Sequence, residues 1–93
     1  MSFKYINKIL NIIIKYKLNT MEISVFQDAL LLNQYNNAFV LNRSHLRLKT
    51  GEFFTRQHIS KTILSLENKG LIEQIEKHEN LIQHKFCEGV FNV

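Results

Sequence analysis

The chain has no proline, three glycines and one cysteine in 93 residues. Without proline, low-complexity tracts or internal repeats, nothing marks a linker between domains. The scarcity of glycine leaves no glycine-rich phosphate loop of the kind nucleotide-using enzymes carry. A single cysteine, Cys87, permits no internal disulfide, so the fold does not depend on an oxidising compartment and a cytoplasmic address is the default expectation. Acidic residues are the scarcer sign. Eight Asp and Glu stand against twelve Lys and Arg, for a formal net charge of +4. That excess favours polyanionic partners without singling out nucleic acid.

What is present is enough for one core. A hydrophobic share of 45% and a charged share of 22% fit one soluble globular domain over residues 1–93, too short for two cores and open to reinforcement by self-association. FKYINKILNIIIKYKL, residues 3–18, is basic and apolar, but Asn7, Lys8, Asn11 and Lys15 interrupt it and no small-residue cleavage site follows. It falls short of the roughly 20 apolar residues a membrane span needs, so it is assigned to the fold.

Phe3, Ile6, Ile9, Leu10, Ile13, Tyr16 and Lys17 follow one helical stripe, predicting a first helix from about Phe3 to Lys17 with Ser2 as its N-cap. Ile12 and Ile14 widen the stripe. Either the helix packs on two sides within a small core, or Ile9, Ile12, Ile13, Ile14 and Tyr16 form a dimer seam. Asn19 and Glu22 have capping-box spacing, so a second helix begins near Thr20, with Ile23, Phe26, Ala29, Leu30 and Asn33 inward and an end near Gln34 to Asn37. AFVLN, residues 38–42, is a small strand or the lead into the next helix. RSHLRLKTG, residues 43–51, predicts a short helix closed by Gly51, and Thr55 is the N-cap of a longer helix that ends at Lys69 before Gly70. Ile59, Ile63 and Leu66 form its core face with Thr62 beside them. LIEQIEK and LIQHKFC then predict a hairpin with a polar tip, and Val90, Phe91 and Val93 a last edge of strand.

With that core face inward, the helix from Thr55 presents Arg56, Gln57, His58, Ser60 and Lys61 outward. Arginine forks to guanine, glutamine pairs with adenine, and Thr55, the serine and the lysine suit phosphates or base edges. The bland alternative is an ordinary solvated face. The preceding helix adds Arg43, Ser44, His45, Arg47 and Lys49 as backbone contacts, and the hairpin adds Lys77, His78, His84 and Lys85. His78, His84 and Cys87 lie close in sequence, but one cysteine without a Cys-x-x-Cys partner makes a weak zinc site, and Cys87 is expected as a small buried apolar residue. His58 and Ser60 lack a catalytic constellation, so no enzyme activity, cofactor or small-molecule substrate is expected.

The order helix, helix, short helix, turn, longer helix, glycine, hairpin is that of a winged helix-turn-helix, an α+β domain of three to four helices followed by a C-terminal β-hairpin wing. TRQHISKTILSLENKGLIEQ resembles the recognition helix and first wing strand of MarR-like and SarA-like regulators, whose helices end in a Leu-Glu-x-x-Gly-Leu-Ile type sequence, here Leu66, Glu67, Asn68, Lys69, Gly70, Leu71 and Ile72. LNTMEISVFQDALLLNQYN is similar to the helix before the reading motif in the same group. The resemblance implies sequence-specific binding of double-stranded DNA by a homodimer, transcription regulation, and a cytoplasmic protein associated with the nucleoid when DNA-bound. Base reading would fall to Thr55, Arg56, Gln57, His58, Ser60 and Lys61, and phosphate or wing contact to Arg43, Ser44, Arg47, Lys49, Lys77, His78 and Lys85. Three features depart from that pattern. Arg47 stands where a small residue is usual, the turn from Gly51 to Thr55 is long, and the wing lacks the acidic and arginine pair. With no long helix after the hairpin, dimerisation falls to the first helix and the tail. A winged-helix adaptor that binds protein rather than DNA, or a plasmid or phage DNA-maintenance protein, are the alternatives.

Overall fold

The computed structural model describes residues 3–51, 53–79 and 81–92. Among them the order is α1 (Phe3–Lys15), α2 (Thr20–Asn33), β1 (Phe39–Val40), α3 (Arg43–Lys49), α4 (Arg56–Asn68), β2 (Ile72–His78) and β3 (Leu81–Phe86). The chain is α+β, with four helices and a three-stranded antiparallel sheet in the order β1, β3, β2 among those residues, a layout compatible with a winged helix.

α1 is a helix where the periodicity predicts one, but its inward face differs. Ile12 is fully buried, and Ile9, Ile13 and Tyr16 pack against the core beside it, a spacing of three, four and seven. Phe3, Ile6, Leu10 and Ile14 stay exposed, at 85% for Phe3 and 71% for Ile14. The helix carries two apolar stripes, and the chain's own core takes the one through Ile12. Ile12 is therefore withdrawn from any dimer seam, while Ile9, Ile13 and Tyr16 are half-covered and only Ile14 of that set stands clear. The helix ends in a left-handed residue, Lys17 at φ 53°, and Leu18 N–H donates to the Ile13 carbonyl at 3.0 Å. The N-cap assigned to Ser2 lies outside the described residues.

α2 opens with the expected capping box. Asn19 Oδ1 accepts from Glu22 N–H at 2.8 Å, and Glu22 Oε1 accepts from Asn19 N–H at 3.0 Å. Val25, Phe26 and Ala29 are buried, with Ile23 and Leu30 partly so. The inward face also takes in two acids, Glu22 and Asp28, which hydrophobic periodicity alone does not anticipate.

The open question at residues 38–42 resolves as a strand. Phe39 and Val40 pair with His84 and Gln83 of β3, and Asn42 caps α3 by accepting from His45 N–H at 3.0 Å. α4 begins at its Thr55 cap and closes with Leu71 N–H bonded to the Leu66 carbonyl and Gly70 N–H to that of Glu67, each 3.0 Å. This closure needs the left-handed φ of 79° at Gly70, which glycine adopts without strain.

β2 and β3 form the predicted hairpin, with a register shift between Gln74 and Glu76 and Glu79 in a left-handed turn conformation. Phe86 is its anchor, with ring centroids 6.0, 5.4 and 4.9 Å from those of Phe26, Phe39 and Phe91. Residues 87–92 are not the last strand that the Val90 and Phe91 pattern predicts. They turn back on the core, burying Val90 and packing Phe91 on Phe86, because β1 already occupies the free edge of β3. Val93 lies outside the described residues.

Candidate nucleic-acid interface

α4 is held by its buried side, Ile59, Thr62, Ile63 and Leu66, and this fixes what its other sides can meet. Three strips result. Gln57, Lys61 and Leu64 lie farthest from the core and are exposed. Gln57 and Lys61 make no hydrogen bond or ion pair among the described residues. Leu64, 54% exposed, joins them as a side chain suited to a thymine methyl group. The spacing that puts Ile63 inward turns Leu64 out, so the sequence itself places this apolar member among the polar ones.

The strip facing α2 holds His58, Thr62 and Ser65 beside Asn19 and Glu22, with Lys61 at the edge it shares with the outward strip. Thr55 Oγ1 accepts from His58 N–H at 3.2 Å and lies 3.1 Å from His58 Nδ1. Thr55 and His58 thus engage each other, and base reading by either would first break the cap. Below them Glu22, 2% exposed, accepts from Lys69 Nζ at 2.8 Å and from Ser65 Oγ at 2.9 Å. Burial acts to raise its pKa, but the hydrogen bonds from Lys69, the Asn19 N–H and Ser65 hold the carboxyl below its ordinary value.

The strip facing the sheet holds Arg56, Ser60 and Glu67 along an open groove of about 410 Å³, whose other walls include Arg43, Ser44, Gln74, Ile82 and His84. Arg56 Nη2 donates to Ser44 Oγ at 2.7 Å, so the guanidinium leans toward α3 rather than straight outward. Glu67 accepts from Gln74 Nε2 at 3.0 Å. His84 sits at the groove floor, 3% exposed, with Nε2 3.8 Å from Glu67 Oε1. That distance exceeds hydrogen-bond length, and neither ring nitrogen has a hydrogen-bond partner among the described residues. Burial pushes the His84 pKa down. The Glu67 charge opposes this and Arg43 adds to it.

His84 is therefore not the solvent-facing hairpin cation expected from its neighbours in sequence. Strand alternation puts it on the same face as Ile82 and Phe86, whereas Leu81 and Lys85 face outward. Lys85 pairs with Glu73 at 3.2 Å and His78 lies 3.5 Å from Glu76, so two of the hairpin's expected phosphate contacts already face its own carboxylates, while Lys77 is exposed and makes no such pair among the described residues. Its two lysines face three glutamates between residues 72 and 86. Lys49 lies 3.7 Å and His45 3.4 Å from the buried Asp28 carboxylate, tying α3 to α2. Cys87 is half-buried rather than buried, its thiol directed at Glu73 Oε2 at 3.9 Å, and burial followed by the Glu73 charge raises its pKa.

Charge gathers where the polar strips are. Residues 43–61 contain Arg43, Arg47, Lys49, Arg56 and Lys61 against Glu52 alone, which equals the net charge of the whole chain. A second basic segment, residues 1–19, carries Lys4, Lys8, Lys15 and Lys17 and no acid. Comparison of the chain with family models, with curated proteins and with solved structures finds no match. Among the described residues no helix is long and apolar enough to cross a membrane.

Proposed function

We propose that the chain is a winged helix that binds double-stranded DNA, with α4 in the major groove, and that it regulates transcription by occupying its site. The observation that carries this reading is the outward strip of α4, with free Gln57 and Lys61 beside Leu64, standing within one of the two segments where positive charge collects. Gln57 supplies base contacts, Lys61 contacts a base or phosphate, and Arg43, Arg47 and the Ser44-bound Arg56 hold the flanking backbone. Lys49 supports this surface mainly by anchoring α3 to Asp28. In the hairpin, Lys77 is left as the cation for a phosphate, since Lys85 and His78 face Glu73 and Glu76.

A homodimer accompanies this reading, placing two copies of α4 in successive major grooves about one helical turn apart. Its support is the exposed second stripe of α1, Phe3, Leu10 and Ile14. Sedimentation of wild type and Ile14→Lys tests the seam, and identical monomers at micromolar concentration would remove it. The same stripe favours the rival, a winged-helix adaptor that docks a protein through α1.

Titration against a random-sequence duplex at two salt concentrations, with an Arg56→Ala/Lys61→Ala variant alongside, decides between them. The DNA reading predicts affinity that falls steeply with salt and is weakened in the variant. No binding at low salt, with wild type and variant alike, would overturn it in favour of the adaptor.

A further inference from the structure

We infer that the groove between α4 and the sheet is a binding site for a phosphate-class oxyanion, with Arg43 and Arg56 as its fixed charges and His84 as a buried donor beneath them. The inference rests on the same face as the DNA reading and deepens it by naming where one phosphate is gripped and what that grip costs in protons.

Three observations meet in this groove. The first is charge: Arg43 and Arg56 line it from α3 and α4, with Glu67 as the one carboxylate lining it among the described residues. The second is preorganisation, since the 2.7 Å bond to Ser44 Oγ holds the Arg56 guanidinium at the rim before any ligand arrives. The third is His84, a side chain almost wholly removed from solvent whose two ring nitrogens lack hydrogen-bond partners among the described residues, Nε2 having only the Glu67 carboxylate nearby at 3.8 Å. Buried polar groups in proteins are nearly always satisfied, and one that is not, lining an arginine-flanked groove, marks a place for a ligand.

The groups facing His84 set how it responds. Glu67 comes from α4 and Arg43 from α3, while its sheet neighbours Gln74 of β2 and Phe39 of β1 carry no charge. Neutral imidazole offers one N–H, whereas the protonated ring offers two and adds a positive charge. With the ring neutral, two guanidiniums face one carboxylate. With it protonated, the groove gains a further positive charge and binds an oxyanion more tightly. By linkage, the anion must then raise the proton affinity of His84.

The test uses the whole chain with its imidazole carbons and nitrogens isotope-labelled, and follows the His84 ring by NMR across pH 5–8. Sulfate is the first probe because it keeps its charge through this range, and a random-sequence DNA duplex is the second. The site predicts that sulfate moves the His84 titration midpoint upward by at least half a pH unit, that sulfate affinity weakens severalfold from pH 6 to pH 8, and that an Arg43→Gln/Arg56→Gln variant loses both effects. An unmoved midpoint, or an equal movement in the variant, would overturn it as an adventitious ion only. Movement by sulfate and duplex together supports the site with nucleic acid as the source. Movement by sulfate with no duplex binding supports a site for a small free phosphate compound and removes the DNA reading alone. Duplex binding with His84 unmoved by either probe removes the groove inference and leaves the DNA reading standing.

Discussion

The two flanks of α4 each bury an ionisable side chain, and the pair differ in one respect. Glu22, on the α2 side, is matched by Lys69, Ser65 and the Asn19 N–H, all at 3.0 Å or less. His84, on the sheet side, is equally buried and has no hydrogen bond from either ring nitrogen among the described residues. A matched buried charge locks elements together, here the start of α2 to the end of α4. His84 is matched more weakly, with the Glu67 carboxylate 3.8 Å from Nε2 and no hydrogen bond at that distance, and the adjoining groove has room for a ligand that would complete it.

Breaking the matched flank has the largest expected effect. Glu22→Ala removes the capping box and leaves the Lys69 ammonium without its carboxylate, with only the Lys17 carbonyl still accepting from it, at a cost of about 3 kcal/mol in denaturant unfolding. A loss no greater than that of an exposed substitution would show that the flanks are alike. Removing the strip between them is the next test. Gln57→Ala/Lys61→Ala should cost about 2 kcal/mol in duplex affinity and leave the unfolding midpoint unchanged, since neither side chain touches the core.

The flanks also separate by pH. His84 has a lowered folded pKa, so the unfolded chain binds its proton first. The stability tied to its neutral form is complete above the ordinary value of 6.5 and is lost as the pH falls below it, by at most about 1.4 kcal/mol per pH unit for one proton. This part of the acid loss should vanish in His84→Gln. Glu22, also lowered, keeps its contribution until the pH falls below 4.5, a second and later step that His84→Gln leaves in place. Urea unfolding at closely spaced pH values reads both.

A smaller contrast lies at two helix ends. Lys17 and Gly70 close α1 and α4 with the same left-handed turn, and only glycine does so without strain. Lys17→Gly should stabilise the chain by about 1 kcal/mol, because the backbone carbonyl that accepts from Lys69 Nζ at 3.0 Å is retained.

Local signals made the elements legible. The Asn19 and Glu22 box, the Thr55 cap and the glycine closures at 51 and 70 each act within a few residues, and all stand where the sequence places them. The face of α1 was not legible, because two apolar stripes on one helix look alike until the core selects the one through Ile12. Nor was the pairing of Glu22 with Lys69, 47 positions apart, or of Asp28 with His45 and Lys49, since only tertiary packing brings them together. At the candidate site, the outward turn of Gln57 and Lys61 followed from the Ile59, Ile63 and Leu66 spacing. His84 required strand alternation, Ile82, His84 and Phe86 on one face, to be weighed above its polar neighbours.

The central claim is that the face formed by the outward strip of α4 and its adjoining groove meets DNA. The most direct measurement is a backbone and side-chain NMR footprint of the labelled chain titrated with a random-sequence duplex. Perturbations should concentrate on Arg43, Arg56, Gln57, Lys61, Leu64 and the His84 ring, and leave α1 unaffected apart from any change in self-association. Perturbations confined to Lys4, Lys8 and Lys15, or none at low salt, would contradict it.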